Sequence, residues 1–313
     1  MKTISLNVHS FSLRYHFRHA GALGTGYDVL RYMADMKAAG FTGVNISANG
    51  PGYRDLGGTG SAHFARVNRM RGELGLTLEL DTSDTRPENM RAMIAVTAAC
   101  GGDTLRTYTR YSGSMADLIG WTIDDLKAVA NVARDAGVTL VLENHEDFQG
   151  AEIAEILSAV DHPNVRALYD YGNSQMVGED PFVALEAMAP FIHRCHIKDH
   201  VLARTAEGRL VVQGVPMGEG TLPIAAITDR LHALGLRRFC FENVWSYTAP
   251  VKVDASALPV TPCFRQFGPE RHLEGDRLDA ADAVARERQA FDTGLDWFRA
   301  LLARQGYRVA GEI

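Results

Sequence analysis

Residues 138–147, with the sequence VTLVLENHED, decide how this chain is interpreted. The first five are aliphatic or β-branched, which is typical of a parallel strand buried on both faces. The polar run ENHE follows at once, so the strand would deliver reactive side chains at its carboxyl end. For one strand, these residues could simply begin the next loop. Three further runs end in the same way, namely VRALYD at Asp170, HRCHIKD at His196 and RRFCFEN at Glu242.

Strand and helix patterns alternate along the chain. Predicted strands lie at residues 3–8, 44–46, 76–80, 103–106, 138–142, 165–169, 193–197 and 238–241. The motif Thr122-x-x-Asp125 predicts that the helix before the central strand begins at Thr122. Eight βα units in 313 residues fit a closed (β/α)8 barrel, the TIM-barrel architecture, better than an open sheet, and no GxGxxG follows the first strand. The sequence therefore predicts one α/β barrel domain spanning residues 1–313.

Composition argues against several classes of protein. The net charge is -6 with a pI near 6.0, and the basic residues are dispersed, so we expect no nucleic-acid or membrane-surface partner. No apolar run approaches about 20 residues, and the amino terminus enters a strand pattern directly. The four cysteines form no CxxC pair, which fits a reducing compartment. A cytoplasmic protein is expected.

A barrel would give the four polar strand ends one common position. The carboxyl ends of barrel strands converge on one mouth, so Glu143, Asp170, His196 and Glu242 would meet there. Three carboxylates placed together repel one another unless a cation lies between them. With one neutral imidazole they suit Mn²⁺ or Mg²⁺, with Co²⁺ or Zn²⁺ also possible. The structural alternative is that Asp170 caps a helix, His196 is a satisfied core histidine and Glu242 pairs with an arginine.

Five short motifs resemble the xylose-isomerase-like TIM barrel superfamily of sugar phosphate isomerases and epimerases. They are LENH at Glu143, YDYGN at Asp170, HIKD at His196, GEG at 218–220 and FEN at Glu242. The resemblance covers roughly residues 1–245. It implies that the four strand-end residues hold one divalent metal and that the two glutamates flank the substrate carbon that exchanges a proton. The superfamily also contains dehydratases, decarboxylases and C-glycoside deglycosidases, so it does not choose one reaction.

Enolisation of a keto-carbohydrate is the expected chemistry. A metal that chelates a hydroxyl and the adjacent ketone lowers the cost of forming an enediolate. Glu143 and Glu242 are the candidate acid and base. Because ligation lowers their basicity, His145, which can titrate near neutral pH, is a third candidate. The alternative for His145 is a hydrogen bond that orients a metal ligand.

The leading prediction of function is a sugar isomerase or 3-epimerase with a small keto sugar or keto sugar acid as its partner. The first alternative is a lyase of the same superfamily, either a decarboxylase of a 3-keto sugar acid or a C-glycoside deglycosidase acting on a 3-keto glycoside. The second is a non-catalytic sugar-binding barrel subunit. Retention of all four candidate ligands argues against the last of these.

Two features extend beyond the candidate ligands. Cations on the first, second and fourth loops could meet a carboxylate or phosphate of the substrate, and Lys198 and Asp199 could bind hydroxyls or pair locally. The predicted substrate-binding residues are Arg14, His16, Arg54, Arg106, Arg110, Lys198 and Trp245. An insertion at 246–279, between the eighth strand and the last helix, is predicted to be a lid or an oligomer contact. We expect a homo-oligomer.

Overall fold

Eight parallel strands form a closed ring in the computed structural model, which describes residues 2–269 and 275–310. They are β1 (Lys2–His9), β2 (Gly43–Ser47), β3 (Thr77–Asp81), β4 (Thr104–Thr107), β5 (Thr139–Glu143), β6 (Val165–Asp170), β7 (Ile192–Ile197) and β10 (Arg238–Phe241). Each pairs with the next, and β10 pairs with β1 to close the ring. The predicted (β/α)8 barrel is confirmed.

Helices surround this ring. They are α1 (Arg14–His19), α2 (Val29–Ala38), α3 (Ser61–Leu74), α4 (Pro87–Ala99), α5 (Met115–Asp135), α6 (Gly150–Val160), α7 (Pro181–Met188), α8 (Ile224–Ala233) and α9 (Ala280–Arg304). Helix α1 was missed by sequence reasoning because its six residues, RYHFRH, are too short to show a helical period.

The predicted start of α5 at Thr122 is wrong. The helix begins at Met115, where Ser114 and Asp117 form the capping box that sequence reasoning assigned to Thr122 and Asp125. Thr122 lies inside the helix, and the carboxylate of Asp125 instead accepts hydrogen bonds from the hydroxyls of Thr85 and Tyr111. The motifs Ser114-x-x-Asp117 and Thr122-x-x-Asp125 have the same spacing, so the sequence alone does not show which of them caps the helix. The tertiary contacts of Asp125 show that the second does not.

A second, smaller sheet lies beyond the carboxyl end of the barrel. Its strands are β8 (His200–Arg204), β9 (Leu210–Gly214), β11 (Thr248–Pro250) and β12 (Gln266–Pro269), in the order β11-β9-β8-β12. The last two belong to the insertion, whose Phe264 packs with Leu202 and Val212 of the hairpin. The insertion is thus folded onto the barrel, although residues 270–274 lie outside the described ranges. Its role as a lid or oligomer contact stays a prediction. A short strand, β13 (Tyr307–Val309), pairs with the outer side of β1.

The barrel interior holds the strand ends rigidly. The last four residues of β1, β3, β5 and β6 are all buried, so neither face of these strand ends is exposed to solvent. Strands covered on both faces are mostly apolar, and a buried polar residue within them, such as Glu79, is paired with a partner from another strand. Polar side chains at their carboxyl ends are therefore fixed by close packing rather than by flexible loops.

The close contact between α6 and α7 depends on Gly150. A Cβ atom at this position would lie 2.6 Å from the backbone of Ala184. We expect Gly150→Ala to destabilise the protein by about 1–3 kcal/mol, because backbone cannot move aside as a side chain can. Gly120→Ala in α5 is the control: nothing lies within 4 Å of the added methyl group, so it should stabilise the helix by up to about 1 kcal/mol. Urea unfolding of both variants would measure the difference, and equal effects would contradict this packing argument.

Candidate active site

Four strands bring the candidate metal ligands together at the carboxyl end of the barrel. Glu143 ends β5, Asp170 ends β6, His196 lies one residue before the end of β7, and Glu242 follows β10. His196 Nδ1 is 3.5 Å from Glu143 Oε1 and 3.9 Å from both Asp170 Oδ2 and Glu242 Oε2. The ligand atoms of Glu143, Asp170 and His196 all lie within 4.8 Å of one another.

Each of these side chains directs a buried polar atom towards the others. Within the described residues, Glu143 Oε1 and His196 Nδ1 have no hydrogen-bond partner, and Asp170 Oδ2 and Glu242 Oε2 face only the ammonium group of Lys198. Buried polar atoms are almost always hydrogen bonded. A divalent cation with oxygen and nitrogen ligands would satisfy all four atoms at once, so the donor set fits such an ion.

Asp170 has both a structural and a candidate ligand role. Its Oδ1 accepts hydrogen bonds from the backbone N–H groups of Gly172 and Asn173, as the structural alternative required. Its Oδ2 faces His196 instead. Burial raises the pKa of Asp170 to about 6; Lys198 opposes this shift, and the charges of Glu143 and Glu242 add to it. The capping hydrogen bonds therefore fix the carboxylate through Oδ1 and leave Oδ2 facing the position where a metal would bind.

Lys198 contributes positive charge at the same point. Its Nζ is 2.8 Å from Asp170 Oδ2 and 3.1 Å from Glu242 Oε2. Burial alone would lower the pKa of Lys198, but the charges of Asp170, Glu242 and Glu143 outweigh burial and raise it. The ammonium group is therefore charged and lies beside two of the oxygens that a metal would use.

Removing that ammonium group should strengthen metal binding. We expect Lys198→Met to bind Mn²⁺ at least about tenfold more tightly, because a positive charge this close repels an incoming cation. Titration calorimetry of the metal-stripped protein would measure the affinity, with Lys127→Met on the exposed side of α5 as the control. Weaker binding by Lys198→Met would mean that Lys198 holds the carboxylates in position rather than competing with the metal.

Arg106 on β4 lies between two buried carboxylates. Its Nη1 is 3.3 Å from Asp81 Oδ2, and its Nη2 contacts Glu143 Oε2. Burial would raise the pKa of Glu143, but the charge of Arg106 and the nearby imidazole of His196 hold it well below its usual range. Glu143 would thus offer Oε1 to a metal while Arg106 holds Oε2. No uncommitted oxygen of Glu143 would remain to accept a substrate proton.

Asn45 on β2 contacts the other nitrogen of His196. Its carboxamide lies 3.2 Å from His196 Nε2, and both side chains are buried. A histidine that binds a metal through Nδ1 carries its proton on Nε2. The carboxamide nitrogen Nδ2 is the atom that faces Nε2, and Oδ1 has no partner within the described residues. A 180° rotation of the carboxamide, which exchanges its nitrogen and oxygen, would let the oxygen accept the Nε2 proton and fix the ring and its tautomer.

The expectation that His145 titrates near neutral pH is wrong. Burial lowers the pKa of His145 to about 3; Glu143 opposes this shift, and Arg106 and Lys198 reinforce it. The ring stacks on Tyr108, with centroids 3.8 Å apart and planes at 4°. His145 is therefore a neutral, stacked imidazole at physiological pH.

A cleft of about 210 Å³ opens above the candidate ligands. Six predicted site residues line it, namely Arg54, Arg106, Arg110, His145, Lys198 and Glu242. Arg54 donates a hydrogen bond to Ser47 Oγ at 2.7 Å, and Arg110 donates to the hydroxyl of Tyr108. The structure therefore brings the cations of the second and fourth loops to the candidate metal ligands.

Other predicted substrate-binding residues lie outside this cleft. His16 Nδ1 is 2.8 Å from Glu287 Oε2 on α9, and Trp245 is 6% exposed and packs edge-on against Tyr15. Arg14 lies in a neighbouring cavity. Asp199 accepts hydrogen bonds from the backbone N–H groups of residues 218, 220 and 222, so it organises the loop that contains the GEG motif rather than binding hydroxyls.

Sequence reasoning did not include His9, Asp81 or Tyr247 among the site residues, although all three line the cleft. His9 ends β1 and Asp81 ends β3, and their nearest side-chain atoms are 3.2 Å apart. His9 and Asp81 follow the same strand-end pattern as the polar residues of the later strands, so the sequence does predict their position. Tyr247 donates to Glu146 Oε1 at 3.3 Å. No local signal identifies it, because its position depends on how the insertion folds back.

Comparison with known proteins agrees with this geometry. The chain matches the xylose isomerase-like TIM barrel family over residues 33–258 and belongs to that family. It is 25% identical to the uncharacterised protein YihM of Escherichia coli K12 over 295 residues, covering 90% of this chain and 88% of that protein. It is 24% identical to 3-oxo-isoapionate decarboxylase of Pectobacterium atrosepticum over 226 residues, covering 72% and 78%.

Among solved structures, D-psicose 3-epimerase from Clostridium cellulolyticum H10 matches with a TM-score of 0.66 at 14% identity, covering 96% of this chain and 99% of that one. At this level of identity the match shows the shared fold. In the part of the chain that the structure describes, no helix has both the length and the apolar character needed to cross a membrane.

Proposed function

We propose that this chain is a divalent-metal-dependent enzyme that enolises a keto-carbohydrate, with isomerisation or 3-epimerisation as its leading reaction. The convergence of three buried carboxylates and one buried imidazole at one end of the barrel carries this proposal. The cleft above them, at about 210 Å³, is smaller than the sites of drug-sized ligands and suits a single sugar. The similarity in fold to a D-psicose 3-epimerase supports the same class of substrate.

Glu143, Asp170, His196 and Glu242 would hold the metal, for which Mn²⁺ or Mg²⁺ suits the oxygen-rich donor set. When bound, such an ion polarises a ketone and the adjacent hydroxyl of a sugar. With its carboxamide rotated by 180° so that the oxygen faces Nε2, Asn45 would keep His196 in the tautomer that leaves Nδ1 free. Arg54 and Arg110, which line the cleft, would contact the substrate's outer oxygens.

Glu242 is the proposed principal proton-transfer group. Its carboxylate lines the cleft, whereas Glu143 is fully buried and bound by Arg106. Burial would raise the pKa of Glu242, but Lys198 and His9 outweigh burial and lower it to about 2. The carboxylate is therefore in the ionised form that accepts a proton. The roles of Glu143 and His145 as acid or base stay predictions.

A decarboxylase is the second candidate, and the position of Arg106 favours it. This guanidinium covers Glu143, so a substrate there would meet a cation instead of a base. A two-base epimerase needs a proton-transfer group on each face of the substrate carbon. Loss of CO₂ needs only one group, which returns a proton to the carbon that lost the carboxylate. The similarity to 3-oxo-isoapionate decarboxylase points the same way.

Proton NMR of the Mg²⁺-loaded protein in D₂O distinguishes these reactions. The substrates would be a panel of ketoses, 3-keto glycosides and 3-keto sugar acids, with Asp170→Ala as the inactive control. Deuterium next to the carbonyl with the carbon skeleton intact would establish isomerisation or epimerisation. Release of CO₂ or of an aglycone would establish the lyase. No reaction across the panel, with sugars still bound, would instead support the non-catalytic sugar-binding alternative.

A further inference from the structure

A second cavity, of about 460 Å³, adjoins the cleft above the candidate ligands and is more than twice as large. Phe11, Arg54 and Tyr247 line both spaces. The other walls of this outer cavity come from residues 14–18 and from both ends of the insertion, at 246–248 and 276. A single sugar above the four candidate ligands would leave the outer cavity unfilled.

Arg14 gives the outer cavity a positive charge. Its guanidinium carbon lies 4.4 Å from the ring centre of Phe11 and 4.7 Å from that of Tyr15. Its Nη2 donates a long hydrogen bond of 3.4 Å to the hydroxyl of Tyr15. No carboxylate of residues 2–269 or 275–310 forms an ion pair with it. Stacking on two rings fixes the guanidinium and leaves most of its N–H groups available.

The other two arginines of the outer cavity are compensated. Arg18 lies 2.5 Å from Asp276, and Arg54 lies 3.5 Å from Asp55. These pairs account for both carboxylates among the lining residues. The described lining therefore carries one positive charge in excess. Arg14 is the lining arginine that forms no ion pair with a described carboxylate, although its charge and that of Arg18 both act on Asp276.

Aromatic side chains decide which kind of anion fits. Phe11, Phe17 and Tyr247 line the outer cavity, and the rings of Phe11 and Tyr247 meet edge to face at 5.9 Å. Aromatic walls favour a flat apolar group, and a guanidinium binds a carboxylate through two parallel hydrogen bonds. A phosphate monoester carries a charge of about −1.5 to −2, which the one uncompensated guanidinium would only partly neutralise, whereas it matches the single charge of a carboxylate.

We propose that the outer cavity is a second substrate subsite, which binds a flat, carboxylate-bearing group attached to the keto sugar. This inference rests on the proposed function for the position of the sugar. It assigns the substrate to a class, keto sugars that carry an aromatic acid. It also gives one role to Arg14 and to the insertion, since the ends of the insertion build part of the cavity wall.

Benzoate and its neutral analogue benzamide are the probes that test the subsite. Calorimetric titration of the Mg²⁺-loaded protein should show saturable binding of benzoate and weaker binding of benzamide. Arg14→Gln should weaken benzoate binding at least about fivefold, because a charge-assisted pair is lost. Arg91→Gln, on the exposed side of α4, should leave it unchanged. Thr248→Trp, which fills the outer cavity, should abolish benzoate binding.

The results also separate this inference from the proposed function. Equal binding by wild type and Arg14→Gln, or binding that Thr248→Trp retains and Asp170→Ala removes, would place benzoate elsewhere and overturn the subsite. Deuterium exchange into ketoses without benzoate binding would support the proposed function and overturn the proposed subsite. Benzoate binding that depends on Arg14, without reaction of any keto sugar, would support the binding site for a carboxylate and overturn the proposed enzymatic function.

Discussion

Asp170→Ala and His196→Ala should each lower the affinity for Mn²⁺ at least about hundredfold. Loss of an outer hydrogen-bond partner of a metal ligand already costs about 10–100-fold in affinity, and these changes remove a ligand itself. Both residues are buried and direct one atom at the same point, with His196 Nδ1 3.9 Å from Asp170 Oδ2, and alanine offers no atom that could replace either ligand. Activity in the D₂O experiment should disappear with the metal.

Metal content after dialysis and the shift in melting temperature on adding Mn²⁺ are two independent measurements. Wild type should melt at a higher temperature with Mn²⁺, because a ligand that binds only the folded state stabilises it. The two variants should show little shift. Asp124→Ala, an exposed carboxylate on α5, should behave as wild type. Wild-type metal content in both variants would remove the basis of the proposed metal enzyme.

The barrel and its strand ends could be predicted because both follow from local sequence. A parallel strand buried on both faces is mostly apolar, so an acidic residue that closes such a run marks its carboxyl end. Asp170 is such a residue, and the eightfold repetition of the pattern fixes which end of the barrel it reaches. This reasoning needs no knowledge of which side chains contact one another.

The charge balance of the site could not be predicted in this way. Arg106 and Glu143 are 37 positions apart, and their contact depends on the pairing of β4 with β5. His145 has an ordinary sequence context, and only its burial and stacking on Tyr108 remove it from the physiological titration range. Chain sequence identifies ionisable groups, whereas their ionisation depends on desolvation and on neighbours from other strands.

The hairpin of β8 and β9 could have been predicted in part from the sequence. Two apolar segments, HVLAR and LVVQG, flank the turn residues TAEGR, which is a recognisable hairpin pattern. Sequence reasoning absorbed them into the connection after the seventh barrel strand. The regular alternation of strand and helix favoured that interpretation, and only the pairing with the insertion shows why the hairpin is there.

Arg106→Met should destabilise the metal-free protein by about 3–5 kcal/mol, because it leaves Glu143 buried without its guanidinium partner and removes one partner of Asp81, which keeps His9. Mn²⁺ should reduce that loss. An ion held by Glu143 supplies positive charge to the same carboxylate, so the variant should gain more stability from the metal than wild type does. Arg106→Lys should lose less stability than Arg106→Met, because it keeps the positive charge. It should still be less stable than wild type, because an ammonium group lacks the fork that reaches both carboxylates.

Urea unfolding in EDTA and in Mn²⁺ would measure both effects, and Arg194→Met is the matched control. Arg194 is also largely buried and pairs with Glu79 at 2.8 Å, but it contacts none of the four candidate ligands. Its loss should cost stability equally with and without Mn²⁺. If Arg106→Met behaves in the same way, Arg106 and the metal do not share Glu143. If only Arg106→Met recovers, Glu143 is bound on one side by the guanidinium and on the other by the metal. Glu242 is then the glutamate whose second oxygen no arginine of the described residues holds, which makes it the better placed of the two to exchange a proton.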